Sequence, residues 1–295
     1  MHPRQIIPLV VLLATTLYAM ETPIQVGAGS PDASGILVHQ VSSPYQANTT
    51  TIRILLPANL NRPRSYPTIY VLPVEARNEN RYGDGLLEVA KNNLHNVYQA
   101  IFVAPTFSHL PWYADHPTDP QMRQETYLLR VVIPFIERTY PARGEADGRL
   151  LLGFSKSGWG AFGLLLRHPD LFGKAASWDA PLMMDNPGKY GSGDIFATQE
   201  NFEQYQITKL LERKAPDLQD GKRLILLGYG NFREHHQQLH TLMEKLRIEH
   251  VYEDGPQRKH DWHSGWVAPA VKLLLATQRD DAGSEKGTNK LPGTK

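Results

Sequence analysis

Between Leu150 and Asp170 the chain reads LLLGFSKSGWGAFGLLLRHPD. An apolar run of strand type becomes a helix with an apolar face, and Pro169 stops that helix. The change of direction falls on Gly153-Phe154-Ser155-Lys156-Ser157-Gly158. So sharp a bend needs small residues on both sides, because a larger side chain would collide with neighbouring backbone. Gly153 and Ser157 stand two positions before and two after Ser155. The segment therefore predicts a strand–turn–helix unit with Ser155 at its apex.

The rest of the chain repeats the strand–helix alternation. GILVHQVSS and TTTIRILLPANL read as two strands joined by a turn at SPYQAN. YPTIYVLPV and QAIFVAPTF read as buried strands flanking the helix DGLLEVAKNNLHNVY. A long helix over DPQMRQETYLLRVVIPFIERTY, kinked at Pro134, leads into the serine strand. Beyond it, GKAASWDAPL, KRLILLGYG and EHVYED read as strands. REHHQQLHTLMEKLR and GWVAPAVKLLLATQ read as helices. Such alternation predicts an α/β protein whose mostly parallel central sheet is covered by helices on both faces. In such sheets sites form at the carboxyl ends of strands, where Ser155 falls. Pro181 to Gln206 breaks the pattern with a long stretch rich in Gly, Pro and aromatics. It reads as an inserted cap loop over the strand ends. Trp178, Tyr190 and Phe196 are the aromatics expected to wall a substrate pocket there.

The ends differ in character from the body. MHPRQ followed by IIPLVVLLATTLYA has the form of an export signal, giving residues 1–19 as a signal peptide. Residues 20–34 are expected to be a flexible leader, 35–277 the folded α/β domain and 278–295 a disordered tail. The implied location is secreted or periplasmic, with no stable membrane insertion once the signal is removed. A chain of 295 residues, 41% hydrophobic with a net charge of +1, suits one globular domain and gives no reason to propose nucleic acid as a partner. With no cysteine present, disulfides, thiolate metal sites and cysteine nucleophiles are excluded. His236 and His240 share a helical spacing but lack the glutamate and third ligand of a zinc helix, so no metal is expected from them.

A serine hydroxyl needs a base to become a nucleophile. In the chain order serine–acid–histidine, that base lies late, on a loop before the last helix. GPQRKHDWHSGWVAPAV supplies two candidates there, His260 and His263.

GFSKSGWGA together with KHDWHSGW resembles the putative esterase (esterase D-like) family of α/β hydrolases, over roughly residues 35 to 277. That family includes S-formylglutathione hydrolases, enterochelin and feruloyl esterases, and mycolyltransferases. The resemblance implies an α/β-hydrolase fold with Ser155 as nucleophile and His260, which heads a His-Asp-Trp triplet, as base. It implies an oxyanion hole built from the backbone N–H of Lys156 and of Val74 or Glu75, the latter two on the loop after YVLP. It implies a small-molecule ester substrate and no cofactor. The chain departs from the family at Ser157, where glycine is usual, and at Pro73-Val74, where His-Gly is usual. The family often has Gly-x-x-Asp after the strand KRLILLGY, and here the last position is Asn231. Glu234, nearest in that loop, is the expected acid. Asn231, Asp254 and Asp179 are the alternatives, Asp179 because it ends the strand after the serine strand. The implied activity is ester hydrolysis through an acyl-enzyme. An acyltransferase of the same mechanism, or a noncatalytic binding module on this fold, are the rival readings.

Overall fold

The computed structural model describes residues 23–61, 63–219 and 221–276. Among these residues ten strands form one sheet: β1 (Gln25–Val26), β2 (Ser30–Pro31), β3 (Leu37–Ser42), β4 (Thr50–Leu55), β5 (Thr68–Val71), β6 (Ile101–Pro105), β7 (Arg149–Phe154), β8 (Lys174–Trp178), β9 (Leu224–Tyr229) and β10 (His250–Gln257). Their order across the sheet is β1-β3-β4-β6-β5-β7-β8-β9-β10, with β2 also on β3. From β6 to β10 every pairing is parallel, and β1 to β4 join antiparallel at one side. The predicted α/β architecture is present.

The helices that matter here are α1 (Gly85–Lys91), α2 (Ile133–Thr139), α3 (Ser155–Arg167), α4 (Arg233–Lys245) and α5 (Val267–Leu275). They cover both faces, as the alternation of side chains along the central strands requires. On β7, Leu151 enters the core beneath α2 and α3, while Leu150, Leu152 and Phe154 enter the core beneath α1 and α5. Tyr70 and its neighbours Ile69 and Val71 divide the same way on β5. α3 is buried along Ser155–Leu166, so it is a core helix and not a surface one. Among the described residues no helix is long and apolar enough to cross a membrane.

Three local expectations change. The signal-peptide segment 1–19 and the tail 278–295 lie outside the described residues. Of the leader 20–34, Gln25–Val26 and Ser30–Pro31 are not loose chain: they form two short strands against β3, and between them Gly27 N–H donates to the Gln40 carbonyl at 2.8 Å. Edge pairing satisfies backbone groups that would otherwise face water. The long helix before β7 is divided by a π-helical turn at Leu128–Val132 just upstream of Pro134. Proline lacks an N–H and collides with the carbonyl four residues back, and a widened turn relieves both. The helix of residues 84–98 is likewise split, with Asn93 in the left-handed region at φ 55°.

Candidate active site

The bend at Ser155 is enforced by contact. Ser155 has φ 53°, a left-handed value that costs a non-glycine residue about 1–3 kcal/mol. A Cβ on Gly153 would sit 2.2 Å from the Ser157 carbonyl oxygen. One on Gly158 would sit 2.5 Å from Ser177 Oγ and 2.9 Å from Ala180 Cβ. Both glycines are therefore required by the close passage of α3 over β7 and β8. Ser157, the departure from the family pattern, is fully buried and uses its hydroxyl. Its Oγ donates to the Phe154 carbonyl at 2.9 Å and accepts from the Phe154 N–H at 3.0 Å. The hydroxyl thus pins the turn that a glycine would leave free.

His260 stands beside this turn. Its ring lies 5.1 Å from that of Phe154, 5.5 Å from Tyr82 and 5.8 Å from Phe232 between centroids. The loop carrying it is tied down: Trp262 N–H donates to the Tyr82 carbonyl at 2.9 Å, and the Trp266 indole donates to the Asp261 carbonyl at 3.0 Å. His260 Nδ1 donates to Asp179 Oδ2 at 2.5 Å, which leaves Nε2 as the basic nitrogen.

The carboxylate that His260 meets is Asp179, and the expectation of Glu234 is corrected. Asp179 has no exposed surface and directly follows β8. The loop after β9, where an acid was sought, supplies amide donors instead. Asn231 N–H donates to the Asp179 carboxylate at 2.8 Å and Phe232 N–H at 2.6 Å. Gly230 can pass that close only because it has no side chain, since a Cβ there would be 2.5 Å from Asp179 Oδ2. Burial alone would raise the Asp179 carboxyl, but the hydrogen bonds from His260, Gly230, Phe232 and Asn231 outweigh it and hold the group below the usual aspartate value. Asp179 therefore carries a charge, compensated by oriented backbone dipoles.

Glu234 is exposed and accepts from Gln238 at 3.0 Å. The reason is helical phase. His236, Leu239 and Met243 bury one face of α4, and Glu234 lies about 200° around the helix from His236. Asn231 reaches Asp179 through its backbone, not its side chain. Asp254 is engaged by Arg233 at 2.9 and 2.7 Å. His263, the other candidate base, is engaged elsewhere. It donates from Nδ1 to Glu88 at 2.8 Å and accepts the Asp84 N–H at Nε2, 3.3 Å away, fastening its loop to α1. His236 and His240 do not act together. His236 is buried and its Nε2 accepts the Ala180 N–H at 2.9 Å, which fixes the chain just after Asp179. Burial pushes the His236 imidazole down to about 4, so it stays a neutral acceptor.

Lys156 is the second residue of α3, where a backbone N–H has no acceptor within the helix. The positive end of the helix dipole is also there. Val74 and Glu75 follow β5 on a loop held by the Tyr113 hydroxyl, which donates to the Pro73 carbonyl at 2.6 Å. Glu75 is buried, and its carboxylate is held by Arg81 Nε and the Tyr82 N–H, both at 3.3 Å. Its charge is thus compensated locally. Burial pushes the Lys156 ammonium below the usual lysine value, Glu75 acts to raise it and Arg81 to lower it. A cavity of about 360 Å³ borders the same loop, with Arg53, Val74, Glu75, Arg77 and Trp262 in its wall.

The three aromatics expected around a pocket fall in different places. Phe196 is fully buried, packed on Trp112, Trp159 and Phe202 in the core. Trp178 is buried and stacks on Trp266 with ring centroids 5.5 Å apart. Trp178 also lies 6.3 Å from the His260 ring between centroids, whereas Phe196 belongs to the core. The segment 181–206 turns its large side chains inward because apolar area gains more from the core than from the strand ends. Tyr190 alone of the three is open, 48% exposed, with its ring 5.3 Å from Phe232. Tyr82 and Phe232, which close around His260, went unread in the sequence because nothing local distinguishes a site aromatic from a core one.

A mostly parallel sheet with helices on both faces, a strained serine at a strand–helix turn and a buried aspartate on a late histidine together define an α/β hydrolase. Solved structures of that class share the fold. An S-formylglutathione hydrolase from Agrobacterium tumefaciens superposes with a TM-score of 0.67 at 13% identity, covering 85% of this chain and 98% of that one. A ferulic acid esterase gives 0.64 at 21% identity, covering 81% and 96%. FphF, a fluorophosphonate-binding serine hydrolase from Staphylococcus aureus, gives 0.65 at 16% identity, covering 85% and 100%. Residues 43–247 match the family described as Putative esterase, and the chain belongs to that family. Esterase Rv1288 of Mycobacterium tuberculosis is 26% identical over 133 residues, which is 44% of this chain but only 29% of that protein.

Proposed function

We propose that the chain is an exported serine esterase that cleaves carboxylic esters of small molecules through an acyl-enzyme. The observation that carries this reading is the 2.5 Å contact of His260 with a fully buried Asp179 beside the Ser155 turn. In the proposed reaction Ser155 Oγ attacks the ester carbonyl carbon while His260 Nε2 takes its proton. The carbonyl oxygen becomes an oxyanion that accepts from the Lys156 N–H and from the N–H of Val74 or Glu75. Collapse of the tetrahedral species breaks the bond to the alcohol, which leaves with the proton from His260. Water, deprotonated by the same nitrogen, then releases the acid and restores Ser155. Asp179 keeps the imidazole in the tautomer that can act as base and stabilises the imidazolium. Export rests on the signal-like segment 1–19, and the proposed location is secreted or periplasmic.

The test is covalent labelling with a fluorophosphonate and turnover of a short-chain aryl ester. The label is expected on Ser155 and not on Ser157, whose hydroxyl is committed to Phe154. Ser155→Ala should lower turnover by roughly 10⁴ to 10⁶ fold with the melting temperature little changed. A label elsewhere, or a wild-type protein that neither labels nor turns over ester, would sink the proposal. Sequencing the N-terminus of the exported protein tests the location.

A further inference from the structure

The site leaves one histidine cluster unused, at the other end of the sheet. His250 opens β10 and pairs in register with Leu224, the first residue of β9. The Asp179–His260 pair lies beyond the opposite ends of these strands, about 17 Å away for a strand of this length. Next to His250 are His240 and Glu244, four residues apart on one face of α4. Among the described residues these three form the one group of three or more histidines or carboxylates whose ligand atoms all lie within 4.8 Å of one another.

We propose that His240, Glu244 and His250 form a binding site for a divalent transition-metal ion of the zinc type, which clamps α4 to the edge strand β10. The first argument is the state of His250. Its Nδ1–H donates to the Ile248 carbonyl at 2.8 Å, so its Nε2 carries a lone pair, and a carbonyl in that position is the usual outer partner of a metal-bound histidine. That Nε2 lies 2.8 Å from His240 Nδ1 and 3.9 Å from Glu244 Oε1. A tetrahedral zinc with bonds of about 2.0–2.1 Å requires its ligand atoms about 3.3 Å apart. The two observed separations lie on either side of that value, so small side-chain rotations close the site.

The second argument is orientation. The His240 ring is stacked on Tyr252, with centroids 4.2 Å apart and planes 18° apart, which fixes the plane in which its nitrogen is presented. The His250 side chain is 2% exposed and Glu244 is 66% exposed, so the site is rigid on its inner side and open on its outer side. Two imidazoles and one carboxylate suit zinc and its neighbours, not calcium or magnesium, and leave a fourth position for water. Without metal, His240 Nδ1–H donates to His250 Nε2. On binding, that proton passes to His240 Nε2, both facing lone pairs turn to the ion, and no proton need be lost.

The test is a titration of the full chain, stripped with EDTA and desalted, in which Zn²⁺ is partitioned against a chromophoric chelator. One zinc per chain is expected. His240→Ala and the exposed Glu244→Gln should each weaken binding by at least roughly 10–100 fold, the loss typical of even an outer-shell change. The melting temperature should rise with zinc in the wild type and in neither variant, Mg²⁺ should have no effect, and circular dichroism should show both variants folded. Less than one equivalent bound at tens of micromolar zinc would overturn the proposal. So would undiminished binding or stabilisation in both folded variants.

Discussion

Replacing Asp179 with asparagine separates the acid seen in the structure from the one nearest in sequence. The amide keeps the shape of the carboxylate but removes its charge, and one of its two heavy atoms becomes a donor. Asp179 is surrounded by donors only: His260 Nδ1–H and the N–H groups of Gly230, Asn231 and Phe232. An NH₂ group must therefore either face backbone N–H groups or turn to His260. In the second case it forces the imidazole to accept at Nδ1 and to carry its proton on Nε2, where a base is needed. Loss of the tautomer and of the imidazolium counter-charge should lower kcat by about 10⁴ fold, equivalent to about 5.5 kcal/mol of transition-state stabilisation. The mismatched donors should also cost about 1–3 kcal/mol of fold stability. The assay is steady-state hydrolysis of a short-chain aryl ester, with denaturant melts to show that the variant is folded. Glu234→Gln, at an exposed position, should stay within about twofold of wild type. A folded Asp179→Asn retaining a tenth of wild-type turnover, or a Glu234→Gln falling as far, would refute the reasoning.

His260→Ala should abolish turnover nearly as completely as loss of Ser155, because the two act as a unit, whereas His263→Ala should keep most activity; aryl-ester kinetics on both variants distinguishes them. His263→Ala should also change the stability profile against pH. Burial would raise the Glu88 carboxyl, but hydrogen bonds from His263 and Asn92 and the nearby Lys91 charge hold it below the usual glutamate value. Its contribution is therefore present above the unfolded-state carboxylate value and is lost as pH falls through the depressed one, and melts from pH 7 to 3 should show this loss reduced in the variant. Gly230→Ala should cut kcat by roughly 100 fold through displacement of the Asp179 carboxylate, since the new Cβ would also meet the Arg258 carbonyl oxygen at 2.9 Å; unchanged kcat would show that the loop can yield. Phe196→Ala should cost about 3–5 kcal/mol of stability as a large core truncation, while Tyr190→Ala should leave stability within about 0.5 kcal/mol and alter KM; denaturant melts and kinetics across an ester series check both.

Some of this protein could be read from the sequence because it is set by local geometry. Strand and helix periods, and the helix-ending Pro169, gave the order of elements. The small residues around Ser155 revealed the turn, because the clash that forbids a side chain at Gly153 is with a residue only four positions on, Ser157. The late histidine loop followed from chain order and from its resemblance to KHDWHSGW-type segments. The choice among the candidate acids, Asp179 included, could not be made in that way. His260 and Asp179 are 81 residues apart in sequence, and they meet only because β8, β9 and β10 are parallel neighbours, whose ends bring Asp179 under the Gly230–Phe232 amides and the loop after β10 beside it. Glu234 is closer to those amides along the chain, but the phase of α4, fixed by burial of His236, Leu239 and Met243, carries it to solvent. The aromatics of 181–206 were open to the same ambiguity. Sequence shows that Phe196 is apolar, but only packing on Trp112, Trp159 and Phe202 decides that it belongs to the core and not to a pocket. Local sterics act between near neighbours and are written in the sequence, whereas the choice of partner for a buried charge or a large ring depends on which distant surfaces the sheet brings together.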